Sequence, residues 1–337
     1  MKQITFTKVN HAELTDVPEK PLGSGDVRVR TEFSTLSCGT ERANITDGLG
    51  CSATRVSKVT FPYALGYSSA GVVEAVGKDV TSVRVGDRVV MYWSKHEQYN
   101  VLPEKQVVRI DDERITMPEA ALSFISTFPM AAIRKTRLEM GESVLVMGLG
   151  LLGQLAVKLA RLAGACPIVA VDPVEERRQQ ALTYGADYAF SPYEENFAKK
   201  VKAVTCGGAS VAIEVTGVGA GLDGALDCMR RFGRVALLGC TRFADFNIDY
   251  YQKVHCPGIT MIGAHTAARP EEESHPGYFT HRDDIAAALR LCAMGRLDLG
   301  GMILETHSPA DCTEVYNRLI KDKNFPTVVQ FDWRRLS

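Results

Sequence analysis

The first third of the chain consists of short runs in which apolar and polar residues alternate or apolar residues predominate. The runs are Gln3–Thr7, Val27–Arg30, Val72–Val76 and Arg88–Met91. Clusters of Gly, Ser and Asp separate them, as at Gly23-Ser24-Gly25-Asp26. Runs with a period of two, bounded by turn residues, are typical of half-buried antiparallel strands. The pattern therefore predicts a β barrel or β sandwich in this part of the chain.

After Met140 the pattern changes, because apolar runs of strand length now alternate with helical patterns. Val144–Met147 is wholly apolar and lies between glycines, as in a parallel strand that is buried on both faces. Leu155, Leu159 and Leu162 then recur at helical spacing. The alternation continues through Pro167–Val171, Glu175–Tyr184, Ala198–Val204, Val211–Val215, Leu222–Arg231, Arg234–Leu238 and Ile259–Gly263. Alternating elements of this length predict crossover units and a doubly wound parallel sheet, an α/β architecture.

Two capped helices and one strand are predicted near the C-terminus. One helix begins at Thr280 and ends before Gly295, and the other begins at Ser308 with Pro309 in its first turn. The last apolar run, Thr327–Phe331, is predicted as a strand that could return to the β region.

A glycine-rich turn, Gly148-Leu149-Gly150-Leu151-Leu152-Gly153, follows the first apolar run of the α/β region. The first glycine permits a tight turn, the second lets backbone approach a pyrophosphate, and the third lets the helix pack on the strand. The helix N-terminus favours negative charge. Asp172 lies 19 residues past Gly153 (172 − 153), where a carboxylate accepts ribose hydroxyls and repels a 2′-phosphate. The glycine-rich turn and Asp172 together predict binding of NAD(H) rather than NADP(H). Arg177 and Arg178 could instead hold a 2′-phosphate, and Arg177 could also pack on the adenosine ribose.

Composition narrows the class of protein. The composition, with 45% hydrophobic and 23% charged residues, fits a soluble globular protein. The net charge of −1 gives no electrostatic field that would attract nucleic acid or an anionic membrane. The first 20 residues lack the apolar stretch of a signal peptide, and charges interrupt the later apolar runs. The nine cysteines form no C-x-x-C, which fits a reducing cytoplasm. A length of 337 residues predicts two domains.

Six segments stand in a fixed order along the chain. They are Ser37-Cys38-Gly39-Thr40-Glu41, Leu65–Val73, Val85–Val89, Gly148–Gly153, Glu214–Gly217 and Gly233–Gly239. In this order they resemble the medium-chain dehydrogenase/reductase superfamily, which has the zinc alcohol dehydrogenase-like fold. The resemblance implies a GroES-like substrate domain over residues 1–122 and a Rossmann NAD-binding domain over residues 123–265. It also implies a C-terminal segment, 266–337, that returns to the first domain.

The zinc-dependent members of this family bind the catalytic metal through a Cys, a His and a further Cys or Glu. The matching positions here are Cys38, Tyr67 and Ser123, and Ser68 replaces the acidic neighbour of the His. A phenol and a hydroxyl are poor replacements for imidazole and thiolate in a tetrahedral site that needs three protein ligands. We therefore expect no catalytic zinc.

The sequence also bears on a structural zinc site and on a rearranged metal site. The four-cysteine lobe that holds structural zinc in the family is missing, because Met91–Asn100 contains no cysteine. A rearranged site that uses Cys38 with Glu41 or His96 nevertheless stays open, since ligand type alone does not exclude it.

Hydride transfer without zinc needs a protein group that orients the substrate and handles the hydroxyl proton. Thr40 matches the hydroxyl relay of the zinc-dependent relatives, but the His that follows in that relay is Ala43 here. Tyr67 is predicted as general acid or orienting hydroxyl; alternatively, it fills the metal position as a packed aromatic. His96 could supply an imidazole or be structural. The predicted pocket residues are Cys38, Ser68, Ser123 and His265.

The resemblance also implies contacts to the nicotinamide and an assembly. The matching contact positions are Thr127, Thr216, Leu238, Gly239 and Cys240. Closed symmetric assemblies dominate among soluble enzymes, and we expect a homodimer or homotetramer. We expect a small-molecule substrate and no nucleic-acid or membrane partner.

Three functions stay open on the sequence. The first is NAD(H)-dependent interconversion of an alcohol and a ketone or aldehyde, on a polyol or sugar-like substrate that suits the hydroxyl-rich set of pocket residues. The second is a zinc-free reductase of quinones or activated alkenes, against which Asp172 argues because that class prefers NADPH. The third is a non-catalytic NAD-binding protein.

Overall fold

The computed structural model describes residues 1–46, 49–51, 56–243 and 246–336. It divides into two compact units. The first unit contains the described residues up to Ile125 and those from His281 onward, and the second contains Ser126–Thr280. Within the described ranges, no helix is long and apolar enough to cross a membrane.

The N-terminal part of the first unit is built mainly from β-strands. Its elements are β1 (Lys2–Lys8), β2 (His11–Asp16), β3 (Asp26–Thr35), α1 (Cys38–Ile45), β4 (Leu49–Cys51), β5 (Val56–Lys58), β6 (Ser68–Val76), β7 (Arg88–Tyr92), β8 (Tyr99–Pro103), β9 (Val107–Arg109) and α2 (Met117–Lys135). In the main sheet β3 pairs with β6 and β8, β6 with β7 and β7 with β9, all antiparallel. Val27 and Val29 on β3 are fully buried while Arg28 and Arg30 are half-exposed, which confirms the predicted alternation.

The second unit holds a six-stranded parallel sheet. Its elements beyond α2 are β10 (Val144–Met147), α3 (Leu151–Leu162), β11 (Ile168–Val171), α4 (Glu175–Thr183), β12 (Tyr188–Phe190), α5 (Phe197–Val204), β13 (Ala209–Glu214), α6 (Gly219–Asp227), β14 (Met229–Leu237) and β15 (Thr260–Gly263). The strand order is β12-β11-β10-β13-β14-β15. All neighbours run parallel. This is the doubly wound Rossmann order, whose direction reverses between β10 and β13, and ligands bind at such a reversal, beyond the carboxyl ends of the strands.

The burial of the central strands explains why their apolar runs could be predicted as strands from the sequence. Every residue of β10, β11 and β13 is buried, because helices cover both faces of a doubly wound sheet. Leu145, Val169 and Ala212 come from these three strands and belong to one apolar core. The continuous apolar runs of the sequence are therefore the strands that need no polar face.

One predicted helix is wrong over its last residues. The sequence pattern extended a helix over Leu222–Arg231, whereas α6 ends at Asp227 and β14 begins at Met229. Met229 pairs with Ala209 of β13, ahead of a register shift in the ladder. The pairing of β14 with β13 therefore ends the helix before the end of the helical sequence pattern.

The C-terminal part returns to the first unit. Its elements are α7 (His281–Ala293), β16 (Glu305–His307), α8 (Cys312–Lys321) and β17 (Val329–Asp332). β17 pairs antiparallel with β3, and β16 pairs parallel with β17, so the sheet of this unit is mixed. The predicted cap at Ser308 is confirmed, since its side chain accepts from Ala310 and forms a capping box with Asp311.

The junctions between the units fall after Ile125 and Thr280, later than the boundaries expected after residues 122 and 265. Residues 266–280 lie in the second unit because α2 holds them there. Lys135 Nζ donates to the carbonyls of Gly263 and Ala268, Arg269 donates to the Thr127 carbonyl at 3.0 Å, and Arg134 lies over the Phe279 ring. The return to the first unit therefore begins at His281 rather than at 266.

Candidate functional site

The glycine-rich turn of the second unit has three different steric requirements. Gly148 has a φ of +95°, and a Cβ there would lie 2.9 Å from Thr216 Cγ2. A Cβ on Gly153 would lie 1.9 Å from the Gly148 carbonyl oxygen, where no side chain fits. A Cβ on Gly150 would meet nothing within 4 Å. Packing therefore requires the first and third glycines, while the second borders open space that a ligand can approach.

Helix α3 offers the N-terminus that the turn was expected to present. Gly150 precedes the helix, and Leu151 and Leu152 begin it, so no side chain caps its first turn and no acidic residue lies there. The first backbone N–H groups of a helix have no partner within the helix, and together with the helix dipole they favour an anion. This arrangement fits the pyrophosphate of a dinucleotide.

Asp172 follows β11 and is nearly fully buried. Its Oδ2 accepts the Leu149 N–H at 2.8 Å and its Oδ1 accepts the Val174 N–H at 2.9 Å. An ionised carboxylate has about four acceptor sites, so capacity remains for the two ribose hydroxyls. Arg177 reaches within 3.9 Å of Oδ2, whereas Arg178 is bound to the Asp172 carbonyl and to Glu175. Of the two arginines, Arg177 is the one that borders the carboxylate.

Gln154 belongs to this site although the sequence reading passed over it. It is fully buried, and its Nε2 donates to the carbonyls of Leu149 at 3.2 Å and Arg177 at 2.8 Å. The amide thus ties the glycine-rich turn to the helix that carries Arg177. Its Oε1 has no hydrogen-bond partner among the described residues. A polar residue directly after the third glycine, within an otherwise apolar helix face, is the signal that could have identified it.

The loops after β13 and β14 lie against each other and beside the glycine-rich turn. A Cβ on Gly217 would lie 2.7 Å from the Cys240 carbonyl oxygen, and one on Gly239 would lie 2.4 Å from the Gly217 nitrogen. The Thr216 N–H donates to Glu214 Oε1 at 2.7 Å, which holds the first loop in place. The structure therefore brings together the predicted contact positions of these two loops, Thr216, Leu238, Gly239 and Cys240.

The other two predicted residues of the second unit lie on different elements. Thr127 is buried on α2. His265 follows β15, and its Nδ1 accepts the Ala267 N–H at 3.2 Å. Burial, and after it the charge of Lys135, lowers the pKa of His265, so this imidazole is neutral near pH 7.

Tyr67 is the central residue of the candidate site in the first unit. It follows Gly66, whose φ is +108°, and its hydroxyl donates to Ser37 Oγ. Burial raises the pKa of Tyr67 well above its ordinary value, and hydrogen bonds with Ser37 and Thr40 offset this only in part. The phenol is therefore protonated at neutral pH and can act as a hydrogen-bond donor.

An aromatic wall surrounds this tyrosine. The ring of Tyr67 lies 5.8 Å from that of Trp93 and 6.0 Å from that of Phe124, and Trp93 lies 5.5 Å from His281. Trp93 is 39% exposed and has a φ of +58°. A positive φ is a genuine outlier for a bulky residue, and such strain concentrates at functional sites. The sequence analysis missed Trp93, since neither its exposure nor its backbone angle can be read from the order of residues.

Thr40 and Cys38 accompany Tyr67. Both are half-buried, and both affect the pKa of Tyr67. Cys38 Sγ lies 3.7 Å from the Pro326 carbonyl oxygen and 3.8 Å from that of Thr327. The structure therefore brings together these three residues, each predicted from the family pattern.

Ser68 and Ser123 occupy a different setting. Both are fully buried, and their hydroxyls donate to α2 carbonyls, Ser68 to Ala121 and Ser123 to Ala120, each at 2.7 Å. In this structure they help hold α2 and are not exposed to a pocket.

His96 is also buried, with only 1% of the residue exposed. Its Nε2 lies 3.2 Å from Glu41 Oε1 and its Nδ1 lies 2.7 Å from Ser34 Oγ. Both ring nitrogens are thus engaged inside the unit. The structure assigns His96 to the core, not to a surface from which it could reach a substrate.

The donor set does not fit a tetrahedral zinc. Of the family positions, Tyr67 and Ser123 present hydroxyls that are already hydrogen-bonded. For the rearranged alternative, Glu41 accepts from the Ser37 N–H, His96 and Tyr316. In the described part of the chain, no group of three His, Cys, Asp or Glu side chains could hold a metal ion. The described residues therefore do not supply the three protein ligands of a tetrahedral catalytic zinc.

Two family models match the chain. Residues 23–112 match the alcohol dehydrogenase GroES-like domain, and residues 152–275 match the zinc-binding dehydrogenase model. They cover most of the β region and most of the parallel-sheet unit.

Similar proteins of known name are dehydrogenases. L-threonine 3-dehydrogenase of Pyrococcus furiosus is 29% identical over 78% of this chain and 82% of its own length. D-guloside 3-dehydrogenase of Escherichia coli K12 is 25% identical over 81% of this chain and 83% of its own length. These likenesses extend over both units.

Solved structures share the fold. Galactitol-1-phosphate dehydrogenase of Escherichia coli superposes with a TM-score of 0.84 at 20% identity, covering 98% of this chain and 100% of its own. A protein of Sinorhizobium meliloti 1021, described as a zinc-binding dehydrogenase and bound to NADP, superposes with a TM-score of 0.80 at 20% identity, with 98% of each chain covered. Family models, named relatives and fold agree, and the chain belongs to the medium-chain dehydrogenase/reductase superfamily.

Proposed function

We propose that this oxidoreductase interconverts an alcohol and a ketone or aldehyde with NAD(H), on a polyol or sugar-like substrate and without catalytic zinc. One observation carries the proposal. The chain keeps the complete dinucleotide turn in the second unit, while in the first unit a protonated tyrosine stands at the position of a metal ligand.

The choice of NAD(H) rests on Asp172. Its buried carboxylate retains acceptor capacity for ribose hydroxyls and would repel a 2′-phosphate. The NADP-bound neighbour and the nearby Arg177 favour the phosphorylated cofactor. We give Asp172 more weight, because a fixed negative charge opposes a 2′-phosphate more strongly than a neighbouring arginine, itself attracted to that carboxylate, can favour it.

The nicotinamide, when bound, supplies or accepts the hydride. The protein must then stabilise the charge that develops on the substrate oxygen. Tyr67 can do so when its single hydroxyl hydrogen turns from Ser37 Oγ to the substrate oxygen, and the Ser37 hydroxyl then donates to the phenol oxygen and, with Thr40, holds it in place. Since burial keeps Tyr67 protonated, it suits the role of hydrogen-bond donor to the substrate oxygen better than the role of base.

The substrate class follows from the surroundings of Tyr67. An exposed indole, Trp93, packs against the Tyr67 ring, and the Tyr67 hydroxyl interacts with the hydroxyls of Ser37 and Thr40. Apolar faces with a few polar groups suit ligands that carry C–H and O–H groups side by side. D-guloside and galactitol 1-phosphate, which appear in the names of similar proteins, have this character.

The test is a panel of initial-rate measurements on the purified protein. NAD and NADP are each offered with sorbitol, galactitol 1-phosphate, a D-guloside and L-threonine, and NADPH is offered with 1,4-benzoquinone. We expect turnover with NAD and at least one sugar-derived alcohol. Turnover only with NADPH and the quinone would replace this proposal by a quinone reductase. NADH binding without turnover of any compound would support a non-catalytic protein.

A further inference from the structure

Glu41 is a fully buried carboxylate in the first unit. Its Oε1 accepts the Ser37 N–H at 2.8 Å and lies 3.2 Å from His96 Nε2, and its Oε2 accepts the Tyr316 hydroxyl. Burial alone would raise the pKa of Glu41, but His96, Tyr316 and the Ser37 N–H together hold it below the ordinary value. Glu41 is thus ionised at neutral pH, and all three of these donors surround it.

The partner of Glu41, His96, holds the segment that carries Tyr67. The His96 N–H donates to the Leu65 carbonyl at 2.9 Å. Gly66 lies directly against His96, since a Cβ on Gly66 would come within 2.6 Å of the His96 nitrogen and 2.9 Å of its ring. Tyr67 is the next residue. The His96 ring and backbone therefore fix the backbone position of the segment from which the Tyr67 side chain extends.

Glu41 positions Ser37, the acceptor in the hydrogen bond from the Tyr67 hydroxyl. Through the Ser37 N–H it fixes the residue whose Oγ accepts the Tyr67 hydroxyl. Both ends of the Tyr67–Ser37 hydrogen bond are thus anchored on one buried pair of residues.

A further ring of contacts prevents the pair from moving. Ser34 Oγ lies 2.7 Å from His96 Nδ1 and accepts the Trp333 indole N–H at 2.8 Å. The His96 ring meets the Phe331 ring edge to face. A buried carboxylate and its polar partners often stabilise a fold less than apolar residues of the same size would, so stability alone does not account for this contact.

We infer that Glu41 and His96 form a positioning pair that sets the geometry of the Tyr67 and Ser37 hydroxyls. The inference rests on the proposed role of Tyr67, and it assigns a task to two side chains that do not themselves reach the substrate. Neither residue is a catalytic residue on this view, since each acts through Tyr67.

The test begins with Glu41→Gln, which keeps the size of the side chain but removes its charge and one acceptor. Rates are measured with NAD and sorbitol, or with the panel alcohol that is oxidised fastest. We expect kcat to fall about 10- to 100-fold, the range in which misplaced catalytic groups lower rates. We expect the Kd of NADH, from its fluorescence, to stay within about twofold and KM to change much less than kcat, because the Tyr67 hydroxyl acts mainly on the charge that develops in the transition state.

A double-mutant cycle shows through which residue Glu41 acts. If it acts through Tyr67, then adding Glu41→Gln to Tyr67→Phe lowers kcat little further, because the hydroxyl to be positioned is already gone. Independent, multiplying effects would overturn the inference. A Tyr67→Phe variant with normal kcat would instead contradict the proposed function itself, which keeps the two failures distinct.

Glu97 provides a matched control. It is also a fully buried carboxylate of the first unit, and it is bound by Gln3 at 2.6 Å and Lys20 at 2.9 Å. Glu97→Gln should lower the unfolding midpoint and leave kcat unchanged. An equal fall of kcat in both variants would reduce the Glu41–His96 pair to an ordinary stabilising contact.

Tyr316→Phe is the milder variant if Glu41→Gln does not fold. It removes one donor from Glu41 Oε2 and keeps the ring that packs against Phe6 and Phe331. A smaller fall of kcat, about three- to tenfold, with unchanged KM is expected from the loss of one charge-assisted hydrogen bond. An unchanged kcat would overturn the inference.

Discussion

The two halves of the proposed chemistry are built by different means. In the second unit the cofactor turn relies on backbone, since Gly148, Gly150 and Gly153 act through the side chains they lack. In the first unit the Tyr67 site relies on side chains that come from distant parts of the sequence, such as Ser37, His96 and Tyr316. The first arrangement tolerates almost no substitution at fixed positions. The second has, by resemblance, Tyr67 and Ser123 at positions where zinc-dependent members of the family have metal ligands.

This difference shows which function can be read from a family pattern. A turn that binds pyrophosphate keeps its glycines wherever it occurs, because sterics demand them. A catalytic group can be replaced when another donor reaches the same oxygen. Resemblance therefore identifies the cofactor chemistry more securely than it identifies the metal.

The largest effect should come from the turn. Gly153→Ala would place a methyl group 1.9 Å from the Gly148 carbonyl oxygen, so backbone must shift. We expect a loss of at least about 2–3 kcal/mol in the free energy of unfolding and an NADH Kd raised about 100-fold or more. Urea titration and NADH fluorescence measure both quantities.

Gly150→Ala is the matched control for that variant. Its φ of −68° suits alanine, and the new Cβ would meet no protein atom within 4 Å. Stability should stay within about 1 kcal/mol of the wild type. NADH binding should still weaken about tenfold, because the methyl group enters the space left for the pyrophosphate. Equal destabilisation of both variants would contradict the steric distinction between the two glycines.

Asp172→Ser tests the cofactor preference at the same site. It removes the acceptor for ribose hydroxyls and the charge that opposes a 2′-phosphate, and Arg177 remains nearby. The ratio of kcat/KM for NAD to that for NADP should fall about 10- to 100-fold, the size of a lost charge-assisted hydrogen bond. An unchanged ratio would show that Asp172 does not set the preference.

A smaller effect concerns the Tyr67 region and depends on pH. Because its partners hold the pKa of Glu41 below the ordinary 4.5 despite burial, this residue contributes stability that is present above pH 4.5 and is lost as the pH falls through the folded-state pKa. The advantage of the wild type over Glu41→Gln in urea titrations should therefore begin to shrink as the pH falls from about 5.5 to about 3.5. A constant difference over this range would mean that Glu41 has no lowered pKa.

The elements of the cofactor-binding unit could be predicted from local sequence patterns more fully than the site around Tyr67. The strands β10 and β11 were readable because all their residues are apolar, and β13 because it contains the apolar run Val211–Ile213. The turn after β10 was readable because its glycines have fixed spacing. The α1 and α2 helices were not predicted, since α1 is short and polar and α2 contains Pro129. Sequence reasoning placed Tyr67, Thr40 and Cys38 together through the family pattern.

Sequence reasoning could not assign His96 correctly. A lone histidine before a strand gives no sign of its partners, and Glu41 and Ser34 lie 55 and 62 residues away. The aromatic wall was missed for a similar reason, because Trp93 and His281 meet only through the returning C-terminal segment. Contacts between distant segments depend on topology, which local patterns do not contain.

We propose that a tyrosine hydroxyl, not zinc, stabilises the substrate oxygen. One side-by-side measurement of kcat tests it, on the wild type, on wild type dialysed against a chelator, and on Tyr67→Phe. Tyr92→Phe serves as control, because Tyr92 lies on neighbouring β7 and its hydroxyl donates to the Lys105 carbonyl. Unfolding midpoints and NADH binding are recorded for each sample.

We predict that dialysis changes kcat less than about twofold, while Tyr67→Phe lowers it about 100-fold or more with fold and NADH binding intact, on the scale of a lost oxyanion donor. Tyr92→Phe should match the wild type. A stoichiometric zinc whose removal abolishes turnover, together with an active Tyr67→Phe variant, would contradict the account.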